Sequence, residues 1–484
     1  SVSLNGTPLG TATFEGQDAT TQTFDAGGAA RSGANSVTLQ AESSGDVSLV
    51  ERVTLRYRRA YVADGETLAA PAPAGRRMTI SGFTSNGARV VDVTDPTSPL
   101  ELVTDPSQTG ATVTATVPGD SGTRQVLAFG PGQVRPPASI ATGAPSTLRD
   151  PANDGALTII TTPGYEAALA PLVARRRAQG LTVRVARLQD VYDEFSFGTA
   201  DHRAILRFLD HARGAWRTPP QYVLLGGDGS FDPRGFLGRG TEGNVIPVAL
   251  IDTDDGESAS DSRLTGTLRT GRLPARTSAQ MDALVAKTLR YEDRGAAGAA
   301  TLVSDVPDTY PFGTATDGLT PLLPAGWALT RVDRATQPDA KSRLIAALRA
   351  GPSSVNYSGH GSVDLWRGDL LTNADAGGLS NTSQPSLYVL MTCLNGYFTD
   401  PVLPALAEAL LGAPGGAAAV LSSTTAIDPE PQTQANRGLL AALYGGSGPV
   451  RLGDAVQAAL APVSDPDVRQ SETLFGDPTL LVPR

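Results

Sequence analysis

The spacing of apolar residues changes period once along this chain, near residue 150, and that change limits the possible folds more than any single motif. Before it, alternating runs such as Ser36-Val37-Thr38-Leu39-Gln40 and Val53-Thr54-Leu55-Arg56-Tyr57 lie between Gly, Asn and Asp clusters. Alternation buries one face of a strand and leaves the other in water. Residues 1–130 are therefore read as an all-β sandwich. The stretch 131–154 is rich in Pro, Gly, Ala and Ser and reads as a linker. With 484 residues the chain is too long for one hydrophobic core, so several domains are expected.

From residue 155 strands alternate with helical stripes. Leu157–Ile160, Leu181–Val185 and Tyr222–Leu225 read as strands. Between them, Tyr165–Gln179 and Thr199–Arg213 carry apolar residues at helical spacing, and Gly180 closes the first. A second set of strands falls at 300–304, 354–357, 387–391 and 418–421, with helices at 338–350, 403–411, 435–444 and 452–460. The alternation predicts two α/β subdomains, 155–298 and 299–484, with mainly parallel sheets and right-handed crossovers. Strands 354–357, 387–391 and 418–421 are apolar nearly throughout, as strands covered on both faces must be.

In open α/β sheets, functional groups gather beyond the C-terminal ends of strands. That rule selects Ser358-Gly359-His360-Gly361-Ser362 and Thr392-Cys393-Leu394-Asn395-Gly396. The single cysteine excludes a disulfide within the chain, and three scattered histidines do not make a zinc site. The net charge of -10 and the lack of a basic block argue against nucleic acid, and no apolar run is long enough for a membrane span. Thiols attack as thiolates, so a cysteine beside an imidazole is a candidate nucleophile. The residues alone thus point to a Cys–His hydrolase, with Cys393 as nucleophile and His360 as acid–base partner. The N–H groups of Gly361 and Cys393 are candidates for an oxyanion pocket.

Asn356-Tyr357-Ser358-Gly359-His360-Gly361-Ser362, with Trp366 beyond, resembles the histidine segment of the gingipains, a family of cysteine peptidases. Cys393-Leu394-Asn395-Gly396-Tyr397-Phe398 is similar to their nucleophile segment. Val191–Ser196, Leu224–Gly229 and Leu474–Pro478 agree as well, so the likeness covers residues 155–484. The resemblance implies a caspase-like α/β fold behind a β domain and an endopeptidase that forms a thioester acyl-enzyme on protein or peptide substrates. It also implies a secreted or cell-surface bacterial protein, with a signal or propeptide outside this chain.

An acid that orients the histidine follows the first strand of the second subdomain in that family. Within Val303-Ser304-Asp305-Val306-Pro307-Asp308 a gap-free placement falls on Val306, and a one-residue slip gives Asp305. The same placement assigns Asp317 to the base of a pocket for an arginine side chain, and Asp428 and Glu430 are further candidates to acidify it. No cofactor is expected for catalysis. The acidic run Asp252, Asp254, Asp255 and Glu257 is a candidate for the structural calcium that the resemblance implies, but it lacks the regular EF-hand spacing and reads first as a solvated loop. Asp228, among three glycines, reads as a turn residue. Two other functions fit the sequence: a sortase-like transpeptidase of type IX secretion, and an inert surface or adhesion module.

Overall fold

Strict alternation builds the core of the first unit. Along Thr67–Pro73 every second residue is buried, which turns Leu68, Ala70 and Ala72 inward. This strand pairs with Thr123–Phe129, which pairs with Arg89–Asp92 and, through it, with Leu100–Glu101. A second antiparallel pair, Arg77–Ser81 with Thr112–Thr116, adds Met78, Ile80, Val113 and Ala115 to the same core. This is a small sandwich. Val2–Leu4 lies between Thr7–Gly10 and Val37–Leu39 in a separate three-stranded sheet.

The computed structural model describes residues 1–483 apart from 15–19, 44–49, 51, 106–110, 138–145, 240–242 and 296–297. It divides into two units, Ser1–Thr142 and Gly143–Arg484. Two expectations shift. Val53–Tyr57 forms no strand: all five residues are exposed, and alternation without a partner strand earns no burial. Residues 138–145 of the expected linker lie outside the described residues, but 146–154 belong to the second unit. There Leu148 is buried and its carbonyl accepts a hydrogen bond from Trp216 Nε1 at 2.8 Å.

The second unit is built on one ten-stranded sheet. Its strands are β1 (Leu157–Thr161), β2 (Val183–Arg187), β3 (Tyr222–Gly226), β4 (Arg269–Leu273), β5 (Ala299–Ser304), β6 (Ala328–Asp333), β7 (Ser354–Ser358), β8 (Ser386–Met391), β9 (Ala417–Ser423) and β10 (Glu472–Phe475). They lie in the order β2-β1-β3-β4-β10-β9-β8-β7-β5-β6. Every pairing is parallel except β9 with β10.

Helices cover both faces. In Arg203–Ala215 the residues Ala204, Ile205, Phe208, Leu209 and Ala212 form one fully buried stripe. Burying a side chain the size of Ile205 or Phe208 contributes about 1.5–3 kcal/mol, so Ile205→Asp would detach this helix. On the other half, Pro429–Tyr444 lays Leu439, Leu440 and Leu443 against Leu387, Val389 and Met391 of β8. This helix begins at Pro429, six residues before the expected start, because proline suits the first helical turn.

Candidate active site

The site begins with register. Ser358 at the end of β7 pairs with Met391 at the end of β8. His360 and Cys393 each stand two residues beyond that pair, so the sheet delivers both to one edge. Two links hold the loops together. Gly359 N–H donates to the Met391 carbonyl at 3.3 Å, and Asn395 Nδ2 donates to the carbonyls of Ser362 and Leu365, the latter at 3.2 Å.

The histidine loop is packed too closely for side chains at its glycines. A Cβ on Gly359 would meet the Asp305 Cβ at 2.4 Å, and one on Gly361 would meet Thr392 Oγ1 at 2.5 Å. Below the loop, Trp366 is fully buried and stacks on Tyr357 with ring centroids 4.0 Å apart. The Tyr357 hydroxyl donates to the His360 carbonyl at 2.7 Å. In the cysteine loop Leu394 adopts a φ of 61°, a left-handed conformation that costs a non-glycine residue roughly 1–2 kcal/mol. Its N–H donates to Thr425, and Gly396 N–H donates to Ser423. These bonds from the end of β9 hold the strained turn and present the cysteine at its start.

The imidazole is half-exposed and its Nε2 lies 2.6 Å from Asp308 Oδ2. The edge of Phe312 packs on the ring at 5.2 Å. Asp308 accepts the Tyr310 N–H at 3.0 Å, and this bond, followed by the one to His360, holds its carboxyl below the usual carboxylate range. The expected orienting acid, Asp305, is therefore corrected. Asp305 is fully buried, accepts the backbone N–H of His360 at 3.2 Å, and pairs with Arg334 at 2.7 Å. It fixes the backbone of the histidine, whereas Asp308 meets the ring. The segment Val303–Asp308 contained both acids, but β5 runs on through Ser304 and only its exact end determines which carboxylate clears the sheet.

Cys393 is partly buried, and its Sγ approaches the Ile427 carbonyl at 3.7 Å. Burial pushes the thiol above its ordinary pKa, and the negative charges of Asp255 and Asp428 add to the effect, as an ionised Glu472 would. Among the described residues Gly361 N–H and Cys393 N–H donate to no protein group, which leaves both free for a substrate oxygen.

The remaining candidates separate. Asp317 ends the short helix Phe312–Asp317, is 69% exposed and is ion-paired with Arg331. It is not the buried carboxylate that a pocket base requires. Asp428 is exposed at the start of Pro429–Tyr444, close enough to act on the thiol, and Glu430 is exposed on the same helix. Asp252, Asp254, Asp255 and Glu257 lie on a hairpin, Leu250–Thr253 with Gly256–Ala259, docked near the cysteine by Thr253 on Thr425 and Ser258 on Thr424. Among the described residues no three His, Cys, Asp or Glu converge to hold a metal. The acidic run does not fit calcium, which takes six to eight oxygen ligands. It instead places negative charge beside the thiol. Asp228 is a fully buried carboxylate paired with Arg276 at 2.6 Å, and Arg276 in turn donates to the carbonyls of Asp400 and Pro401 in the segment that follows the cysteine loop.

The fold is of caspase-like architecture. The chain belongs to peptidase family C25, whose sequence model matches residues 150–483. Gingipain R2 of Porphyromonas gingivalis is 31% identical over 104 residues, a segment that spans 20% of this chain and 14% of that relative. The crystal structure of the Arg-specific cysteine proteinase gingipain R superposes with a TM-score of 0.57 at 21% identity, covering 68% of this chain and 78% of that one. A complex of the pro- and mature domains of RgpB from the same organism matches with a TM-score of 0.56 at 20% identity, covering 67% and 79%.

Proposed function

We propose that this chain is a cysteine endopeptidase in which Cys393 attacks the scissile carbonyl, His360 moves the proton, and Asp308 orients the ring. The observation that carries this reading is the pairing of β7 with β8, which sets an imidazole held by a carboxylate beside a loop bearing the only thiol. A protonated Cys393 needs a base when substrate arrives, and His360 is the base within that edge. The proton then passes from His360 to the leaving amine as the thioester forms. Water attacks the thioester with His360 again accepting a proton, which returns to sulfur. Gly361 and Cys393 N–H groups supply the donors for the oxyanion.

We further infer a preference for a basic residue before the scissile bond. Two carboxyl groups, Asp255 and Asp428, lie close enough to Cys393 to act on its ionisation, and none of the causes of its shift is a cation. An Arg-specific relative with the same fold agrees with this reading. Export to the cell surface or medium follows from the family, and no described helix is long and apolar enough to cross a membrane. A mixed peptide library read by mass spectrometry tests the function. Cleavage after Arg or Lys is expected, absent in Cys393→Ala; cleavage indifferent to that residue contradicts the preference, and cleavage by Cys393→Ala contradicts the mechanism.

A further inference from the structure

One buried acid beside the nucleophile has no part in that mechanism. Glu472 opens β10, is 7% exposed, and pairs across the sheet with Ser423 at the end of β9. Its Oε1 accepts from Gln432 Nε2 at 3.0 Å, and the same Nε2 lies 3.4 Å from the carbonyl of Thr392, the residue before the cysteine. Gln432 is itself buried. The other oxygen, Oε2, is buried without a partner, and among the described residues Glu472 makes no ion pair. A carboxylate could not stay charged there, because nothing replaces its lost hydration.

We propose that Glu472 is a positioning residue for Cys393, fixing the nucleophile loop through Gln432 while remaining an uncharged acid, so that no buried anion opposes the thiolate. The groups around it agree. Ser423, Gln432 and Thr392 are neutral, Asp428 and Glu430 begin the helix that carries Gln432, and Asp465, Asp467 and Arg469 belong to the short helix just before β10. Burial raises its pKa to about 8, and the bond from Gln432 only partly offsets the rise. Above that pH Glu472 becomes an anion beside sulfur and makes thiolate harder to form.

The inference rests on Cys393 as nucleophile, but its test needs no turnover. Cys393 is the only cysteine, so iodoacetamide alkylation of the intact folded protein reads that thiol alone. Rates are followed from about pH 6 to about pH 10. Wild type is expected to lag above pH ~8, while Glu472→Gln alkylates at least about threefold faster than wild type near pH ~9.5, half a pK unit being roughly threefold in thiolate. Glu472→Ala, which loses the acceptor as well as the charge, is expected to lower kcat/KM for a peptide substrate at every pH, with Glu472→Gln recovering much of the loss. Superimposable alkylation profiles for wild type and Glu472→Gln overturn the electrostatic role, and full activity in Glu472→Ala overturns the positioning role. Should Glu472→Gln fail to fold, a wild-type profile with a single inflection overturns the proposal by itself.

Discussion

Two clusters of charged residues beside the cysteine loop use similar side chains to opposite ends. Beyond β3 and β4, Asp228 is buried, paired with Arg276 at 2.6 Å, and Arg276 also donates to the carbonyls of Asp400 and Pro401. Glu408 lies 3.6 Å away in the same cluster. Every charge there meets a partner, as a structural network requires. Beyond β7 and β8 the groups are only partly matched. His360 and Asp308 face solvent, the Cys393 thiol has no cation beside it, and Glu472 keeps an unpartnered oxygen. Chemistry is found in the cluster whose protons are still free to move.

Substitutions in the two clusters should separate these roles. The largest expected effect is Cys393→Ala, with kcat/KM falling by about 10⁴ or more while the melting temperature hardly moves, checked by peptide hydrolysis and calorimetry. In the paired cluster Asp228→Ala leaves Arg276 partly buried with Glu408 as its remaining carboxylate at 3.6 Å, and denaturant titration should show a loss of about 3–5 kcal/mol. Next comes the pair of acids after β5. Asp308→Asn should lower kcat by about 10²–10³, whereas Asp305→Asn should act mainly on stability and on the histidine backbone; equal kinetic losses would merge the two roles. For Glu472 burial raises the folded pKa to about 8 from the ordinary value of 4.5. The folded state then binds the extra proton, so stability contributed by this group is present below the unfolded pKa and falls as pH rises through about 8. Melting curves of Glu472→Gln should be flatter across that window than those of wild type. The smallest effect is expected at the exposed acids. Asp428→Asn should weaken cleavage after Arg by about two- to fivefold, and Asp317→Asn, already paired with Arg331, should leave the preference unchanged.

Much of this was legible from periodicity. The apolar strands β7, β8 and β9 and the loops after two of them follow from runs such as Leu387–Met391, whose residues are all buried. β4 was hidden because its core is polar. Arg272 is fully buried there, paired with Asp261 at 2.6 Å and stacked over Phe398 at 4.8 Å, and no hydropathy pattern marks such a strand. β10 was masked in a similar way by Glu472 at its head, although the Leu474–Pro478 stretch was noted for its resemblance. Asp477 of that stretch pairs with buried Arg176 at 2.7 Å, a contact between residues far apart in sequence that spacing cannot reveal. The acid that meets His360 was missed for a local reason. Asp305 and Asp308 differ by less than one turn of chain, and a strand end must be known to the residue before either can be aimed.

An irreversible probe tests the central claim most directly: an acyloxymethyl ketone peptide with Arg in the position before the reactive carbon, followed by intact mass and peptide mapping. One adduct on Cys393 is expected, formed at least about a hundredfold more slowly in His360→Ala and more slowly in Asp308→Asn. An adduct that forms at the same rate without the imidazole, or a folded wild-type protein that no peptide probe labels, would contradict the account.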